Sequence, residues 1–185
     1  MCDGVTTQGI RPNGQTVSPT LFSLTVQDND TIQVRYIGGN YSFDFYQKWG
    51  ADNFRIVKNI TSSTSALNTT KIAVKDADKE QYCYKIGITD ACPRTVFSDS
   101  SCTIPLQVRV LDKKNFLKWK TLTYPRFIFY RISRNTTTNY RNITRATTDT
   151  LTDRPTVCGT TYNYQVRGLA GTIQSFFSYY IGYWR

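Results

Sequence analysis

The sequence predicts an all-β protein arranged as two tandem seven-stranded β-sandwiches. Three observations carry this: a composition poor in helix formers, short segments of period-two hydrophobicity, and a repeat of roughly 80 residues. The 185 residues exceed the roughly 100 of a single sandwich and suit two. One Glu (Glu80), seven Ala and nine Leu stand against 27 Thr, 14 Ile, 13 Tyr, 11 Val, 10 Phe and 3 Trp. That balance excludes a helix bundle and argues against a wound α/β sheet. No apolar run approaches the roughly 18 residues of a spanning helix. The opening Met1-Cys2-Asp3-Gly4 has no basic, apolar leader, so no signal peptide is expected within it.

Residues 1–20, rich in Gly, Thr, Pro and Gln, show no periodicity and are expected to form a leader or linker. Ile32, Val34 and Tyr36 then alternate with Thr31, Gln33 and Arg35, a strand with one buried face. Phe43–Tyr46, Phe54–Val57 and Lys71–Val74 follow, separated by turn chemistry such as Asp52-Asn53. Tyr82, Tyr84, Ile86 and Ile88 alternate with Cys83, Lys85 and Gly87. The second half repeats the plan. Leu117 and Trp119 match Val34 and Tyr36 at an offset of 83, and Phe127, Phe129 and Tyr130 match Phe43, Phe45 and Tyr46 at 84. Tyr162, Tyr164 and Val166 match Tyr82, Tyr84 and Ile86 at 80. The domains are therefore placed at 21–104 and 105–185.

Tyr82 and Tyr162 each follow a turn segment, Asp76–Lys79 in one repeat and Cys158–Thr161 in the other. A Tyr there suits a tyrosine corner, its hydroxyl bonded back to the turn and its ring in the core. With Tyr36 or Trp119 on the second strand, the chain resembles tandem fibronectin type III (immunoglobulin-like) repeats. The run Tyr82-Cys83-Tyr84-Lys85-Ile86, Thr89-Asp90-Ala91-Cys92, Ser98 and Ser101-Cys102-Thr103-Ile104 resembles the ending of repeats in gliding-motility-associated bacterial surface proteins exported by type IX secretion. That resemblance implies an extracellular or cell-surface location, neighbouring domains on one long chain, and O-glycosylation at Asp-Thr-aliphatic triplets, here Thr31 and Thr150. Two positions depart from it: Pro93 stands where Gly is usual, and Asn163 stands where the first repeat has Cys83.

Five cysteines leave several pairings open. Cys92 and Cys102 are expected to pair, because a hairpin between the last two strands of the repeat would bring them together. The pairing of Cys2, Cys83 and Cys158 stays open. There is no His, so the commonest general base and metal ligand is missing, and no metal or cofactor is expected. A Cys nucleophile would have no His to activate it. The carboxylate clusters Asp28/Asp30 and Asp76/Asp78/Glu80 sit in turn-like segments, where Asp serves the backbone; calcium is the one cation such turns would suit. The reading is therefore not an enzyme.

Charge is uneven. Residues 1–104 hold 10 Lys/Arg and 10 Asp/Glu; residues 105–185 hold 13 Lys/Arg against Asp112, Asp149 and Asp153. The whole +10 lies in the second half, giving it an anion-attracting field. Arg131, Arg141, Arg145 and Arg167 are the candidates for an anion- or glycan-binding face. Arg141 and Arg145 share one strand parity, and Arg167 lies on the face opposite Tyr164 and Val166, so it is outward. Phe127–Ile132 is apolar on both parities, so periodicity does not choose its buried face. Beyond net charge, nothing points to nucleic acid. The functional expectation is a non-catalytic extracellular module pair of a larger surface or secreted protein, acting in adhesion, display or spacing and contacting an anionic polysaccharide or another surface protein. The alternative is a two-domain cytokine-receptor-like ectodomain, which the sequons at Asn29, Asn40, Asn59, Asn68, Asn135 and Asn142 would suit, although the Trp-Ser-x-Trp-Ser signature is missing.

Overall fold

A computed structural model describes residues 20–37, 42–61, 67–89, 95–111, 113–122, 127–135, 141–154, 157, 159–170 and 174–182. The first half forms β1 (Thr20–Asp28), β2 (Thr31–Ile37), β3 (Phe43–Trp49), β4 (Arg55–Ile60), β5 (Leu67–Ala73), β6 (Tyr82–Thr89), β7 (Thr95–Phe97) and β8 (Ser101–Cys102). The second forms β9 (Leu106–Leu111), β10 (Lys114–Trp119), β11 (Phe127–Asn135), β12 (Arg141–Ala146), β13 (Thr150–Asp153), β14 (Tyr162–Ala170) and β15 (Gln174–Gly182). In each half three strands face four. β1-β2-β5 lie against β4-β3-β6-β7, and β9-β10-β13 against β12-β11-β14-β15. This is the strand arrangement of a fibronectin type III-like sandwich. The last strand of the first sandwich is broken in two, β7 and β8 both pairing with β6. The gap is sealed by Ser98, whose N–H donates to Ile86 O and whose Oγ accepts from Ile86 N–H.

Alternation sets the cores. Leu21, Leu24 and Val26 of β1, Ile32, Val34 and Tyr36 of β2, Phe43 and Phe45 of β3, Ile72 of β5 and Tyr82, Tyr84 and Ile86 of β6 fill the first. Tyr36, Phe43 and Phe45 meet edge to face at 5.1–5.8 Å, the arrangement their ring quadrupoles favour. Ile104, Leu106, Leu117, Trp119, Tyr130, Ile132, Tyr162, Tyr164 and Val166 fill the second. Turn chemistry is local: Asp28 Oδ1 accepts from the Asp30 N–H at 3.0 Å and closes the β1–β2 hairpin. β1 carries no clean alternation in sequence, its register shifting between Leu21 and Ser23.

Two features differ from the sequence reading. The repeat offset on the third strand is 87, not 84. Phe45 lies opposite Ile86, while Ile132 lies opposite Val166, so Tyr130 and Ile132 take the places of Phe43 and Phe45. A register shift between Phe127 and Phe129 takes up one residue, and Ile128 there is 54% exposed. Moreover, β15 pairs with β1 in parallel, Thr25 opposite Phe177, so one seven-stranded sheet runs β12-β11-β14-β15-β1-β2-β5 through both sandwiches.

Candidate anion-binding face

The outer face of the second sandwich is assembled by register. Arg145 on β12 is the direct partner of Arg131 on β11, and Arg131 is the direct partner of Arg167 on β14. Directly opposed residues on neighbouring strands share a face. The face is the outward one, because Tyr130, Ile132 and Val166 beside them fill the core. With strands about 4.8 Å apart, the three guanidinium stems stand in a row about 10 Å across. The Arg145 guanidinium lies 4.8 Å from the centroid of Phe129, and among the described residues no carboxylate forms an ion pair with Arg131 or Arg145.

Arg141 does not join them. A register shift between Ile132 and Ser133 puts Arg141 opposite Arg134, on the core side of the sheet. Sequence parity fails because the bulge at Ile143 inserts one residue and reverses the alternation beyond it.

Arg134 belongs to a polar cluster that sequence reading missed. Its Nη1 donates to Asp153 Oδ2 at 2.7 Å. The Tyr164 hydroxyl donates to the same oxygen at 2.7 Å and accepts from Asn115 Nδ2 at 2.5 Å. Arg134 also lies 5.1 Å from the Tyr162 ring centroid. Burial works against the Arg134 charge, but the hydrogen bond and charge of Asp153 outweigh it and hold the guanidinium above its ordinary value. Burial drives the Tyr164 hydroxyl well above the usual phenol range. The equivalent site of the first sandwich is nearly apolar. Ile32 pairs with Ile72 where Asn115 pairs with Asp153, and Gln47 Nε2 donates to Tyr84 Oη at 2.7 Å. The pairing of Asn115 with Asp153 at the offset of an isoleucine pair was the available signal.

The first sandwich presents a different outer face. Lys85 Nζ lies 3.7, 4.6 and 5.6 Å from the ring centroids of Phe97, Phe54 and Tyr46. Tyr46 and Phe97 meet edge to face at 5.1 Å, over Gly87, where a Cβ would come within 2.7 Å of Tyr46 and 2.9 Å of Phe97. By strand register, Asp44 and Gly87 occupy the places that Arg131 and Arg167 hold in the second sandwich. The arginine row is thus particular to the second repeat.

The expected Cys92–Cys102 bridge is corrected. Cys102 is bonded to Cys83, its direct partner across β6 and β8, with Cα atoms 3.9 Å apart. Cys102 lies on a strand that returns along β6, and Cys83, turned away from Tyr82 and Tyr84, faces it. Cys92 lies outside the described residues, as do Cys2 and Cys158. The Tyr82 hydroxyl donates to the Lys75 carbonyl, and the Tyr162 hydroxyl accepts from the Val157 N–H at 3.0 Å, each bonding back to the segment before its strand. Thr31 and Thr150 open β2 and β13; Thr31 is half-buried and Thr150 exposed. The acidic turns do not converge: among the described residues no group of three or more Asp, Glu, Cys or His could hold a metal ion. Asp76, at φ 51°, pairs with Lys79 at 3.0 Å.

No family model and no curated protein matches the sequence. Among solved structures the chain is similar to the crystal structure of chicken CNTN1 FN1-FN3 domains, at 13% identity and a TM-score of 0.37, covering 96% of this chain and 71% of that one. The fold assignment rests on this chain's own strand order. Among the described residues no helix is long and apolar enough to cross a membrane.

Proposed function

We propose that the chain is a non-catalytic extracellular module pair, divided near Pro105, whose second sandwich binds an anionic polysaccharide through Arg131, Arg145 and Arg167. The observation that carries this is the row itself. Like charges directly opposite on adjacent strands are destabilising, and here Arg131 and Arg145 stand directly opposite with no ion pair to a carboxylate among the described residues, Arg167 continuing the row on the next strand. A polyanion lying across the strands would offset that repulsion. Guanidinium groups also meet carboxylate or sulfate with paired hydrogen bonds, which favours arginine over lysine for such a face. The same face would serve adhesion or display at a cell surface. The narrower assignment to gliding-motility surface proteins rests on the cysteine-containing sequence pattern alone, as does O-glycosylation of Thr31 and Thr150.

The test is heparin and polyuronate affinity of the full chain across a salt series. Retention should fall steeply with salt, since exposed charges are screened within about 8 Å at physiological ionic strength. R131A/R145A/R167A should elute at clearly lower salt, while R141A, on the other face, should elute with the parent. Equal loss in both variants, or retention indifferent to salt, would refute the reading.

A further inference from the structure

The segment joining the sandwiches is fastened to β6. The Thr103 N–H donates to Tyr82 O at 2.8 Å, and the Tyr82 N–H donates to Thr103 Oγ1 at 3.0 Å. Gln81 Nε2 donates to the carbonyls of Thr103 and Thr121, at 2.9 and 3.3 Å, so one side chain holds both the connecting segment and a loop of the second sandwich. The covalent part of this fastening is Cys83–Cys102, three residues before Pro105. The bridge is not sealed in a core. Both half-cystines line a cleft of about 310 Å³ together with Lys48, Phe54, Glu80 and Lys120. Cys83 is 8% exposed, and Cys102 is more open than its partner.

We propose that Cys83–Cys102 is a thiol–disulfide exchange site for a low-molecular-weight thiol of net negative charge. The incoming thiolate attacks Sγ of Cys102, the more exposed of the two half-cystines. A new S–S bond forms between the small thiol and Cys102, and the Cys83–Cys102 bond breaks. Its electron pair leaves on Cys83 as thiolate, which takes a proton from water. A second thiol molecule then attacks its counterpart in the mixed disulfide, releasing Cys102 as a thiol and the small molecule as its own disulfide. Lys48 and Lys120 outnumber Glu80 at the cleft, which favours an anionic attacker and the departing thiolate. With the bridge open, β8 keeps only its backbone pairing to β6, and the connecting segment is held by Thr103 and Gln81.

The experiment treats the oxidised full chain, under native conditions, with reduced glutathione or cysteamine at matched thiolate concentration, followed by acid quench and peptide mapping. Glutathione is expected on Cys102 with Cys83 free, formed about fivefold faster than the cysteamine adduct, the ratio of one Coulomb contact at about 4 Å in water. K48Q/K120Q, which removes two surface charges, should bring the two rates within about twofold with an unchanged circular dichroism spectrum. Hydrogen exchange of the Thr103 amide should accelerate about tenfold in the glutathione adduct as the segment loosens. A bridge that stays closed until denaturant is added, an adduct on Cys83, or cysteamine reacting as fast as glutathione would each overturn the proposal.

Discussion

Replacing Asp153 by alanine tests how the second sandwich tolerates charge inside its core. Asp153 is 7% exposed, and the Arg134 side chain it binds is 27% exposed. Breaking a buried ion pair by removing one partner costs about 3–5 kcal/mol. Arg134 can turn partly to water, which brings the cost below that range, to about 2–3 kcal/mol. The Tyr164 hydroxyl loses its acceptor while still buried, which adds about 1 kcal/mol. D153A should therefore destabilise the second sandwich by about 3–4 kcal/mol, a fall of about 15–25 °C in its Tm. Calorimetry on the full chain measures it. The decisive comparison is N115I/R134Q/D153I, which rebuilds in the second sandwich the isoleucine pair and glutamine that surround Tyr84 in the first. Exchanging a buried ionic cluster for packed apolar groups is often neutral or stabilising, so this variant should recover most of the loss. If D153A costs less than about 1 kcal/mol, or the triple variant is as unstable as D153A, the cluster is not a charge pair held by burial and the reasoning is wrong.

Other outcomes follow from the same structure. Burial raises the hydroxyls of Tyr36, Tyr82, Tyr84, Tyr130 and Tyr164 above the ordinary tyrosine value of 10.0. The unfolded chain therefore loses these protons first; the stability they contribute is intact below about pH 10 and is lost as pH rises past it. The tyrosinate absorbance contributed by these five side chains, read as the difference from variants with Phe at the five positions, should accordingly rise in step with alkaline unfolding rather than ahead of it. G87A should lower stability by about 1–3 kcal/mol, because its methyl would displace the Tyr46 and Phe97 rings; equilibrium denaturation with unchanged stability would show that the rings move freely. Y82F and Y162F should each cost about 1 kcal/mol in the same assay, through the lost bonds to Lys75 and Val157. Phe45, fully buried, should cost about 3–5 kcal/mol as F45A.

The sequence by itself determined the fold class, because the composition favours strands throughout and residues of period two sort themselves onto buried and exposed faces without reference to the rest of the chain. Ile32, Val34 and Tyr36, and later Tyr82, Tyr84 and Ile86, needed no neighbour to be recognised as inward, and the tyrosines that open the sixth strand of each repeat were marked by the turns preceding them. Pairing was another matter. Cys102 found Cys83 instead of Cys92 because a two-residue strand lies back along β6, a register no spacing in the sequence encodes. The arginine row exists because Arg145, Arg131 and Arg167 come from three strands whose alignment is fixed by bulges, and the same bulge turns Arg141 to the opposite face. The Arg134–Asp153–Tyr164 cluster likewise joins strands of both sheets. Local pattern decides which face a residue takes within one uninterrupted strand. Which residues meet across strands depends on register, which a single inserted residue reverses, and only the folded chain sets it.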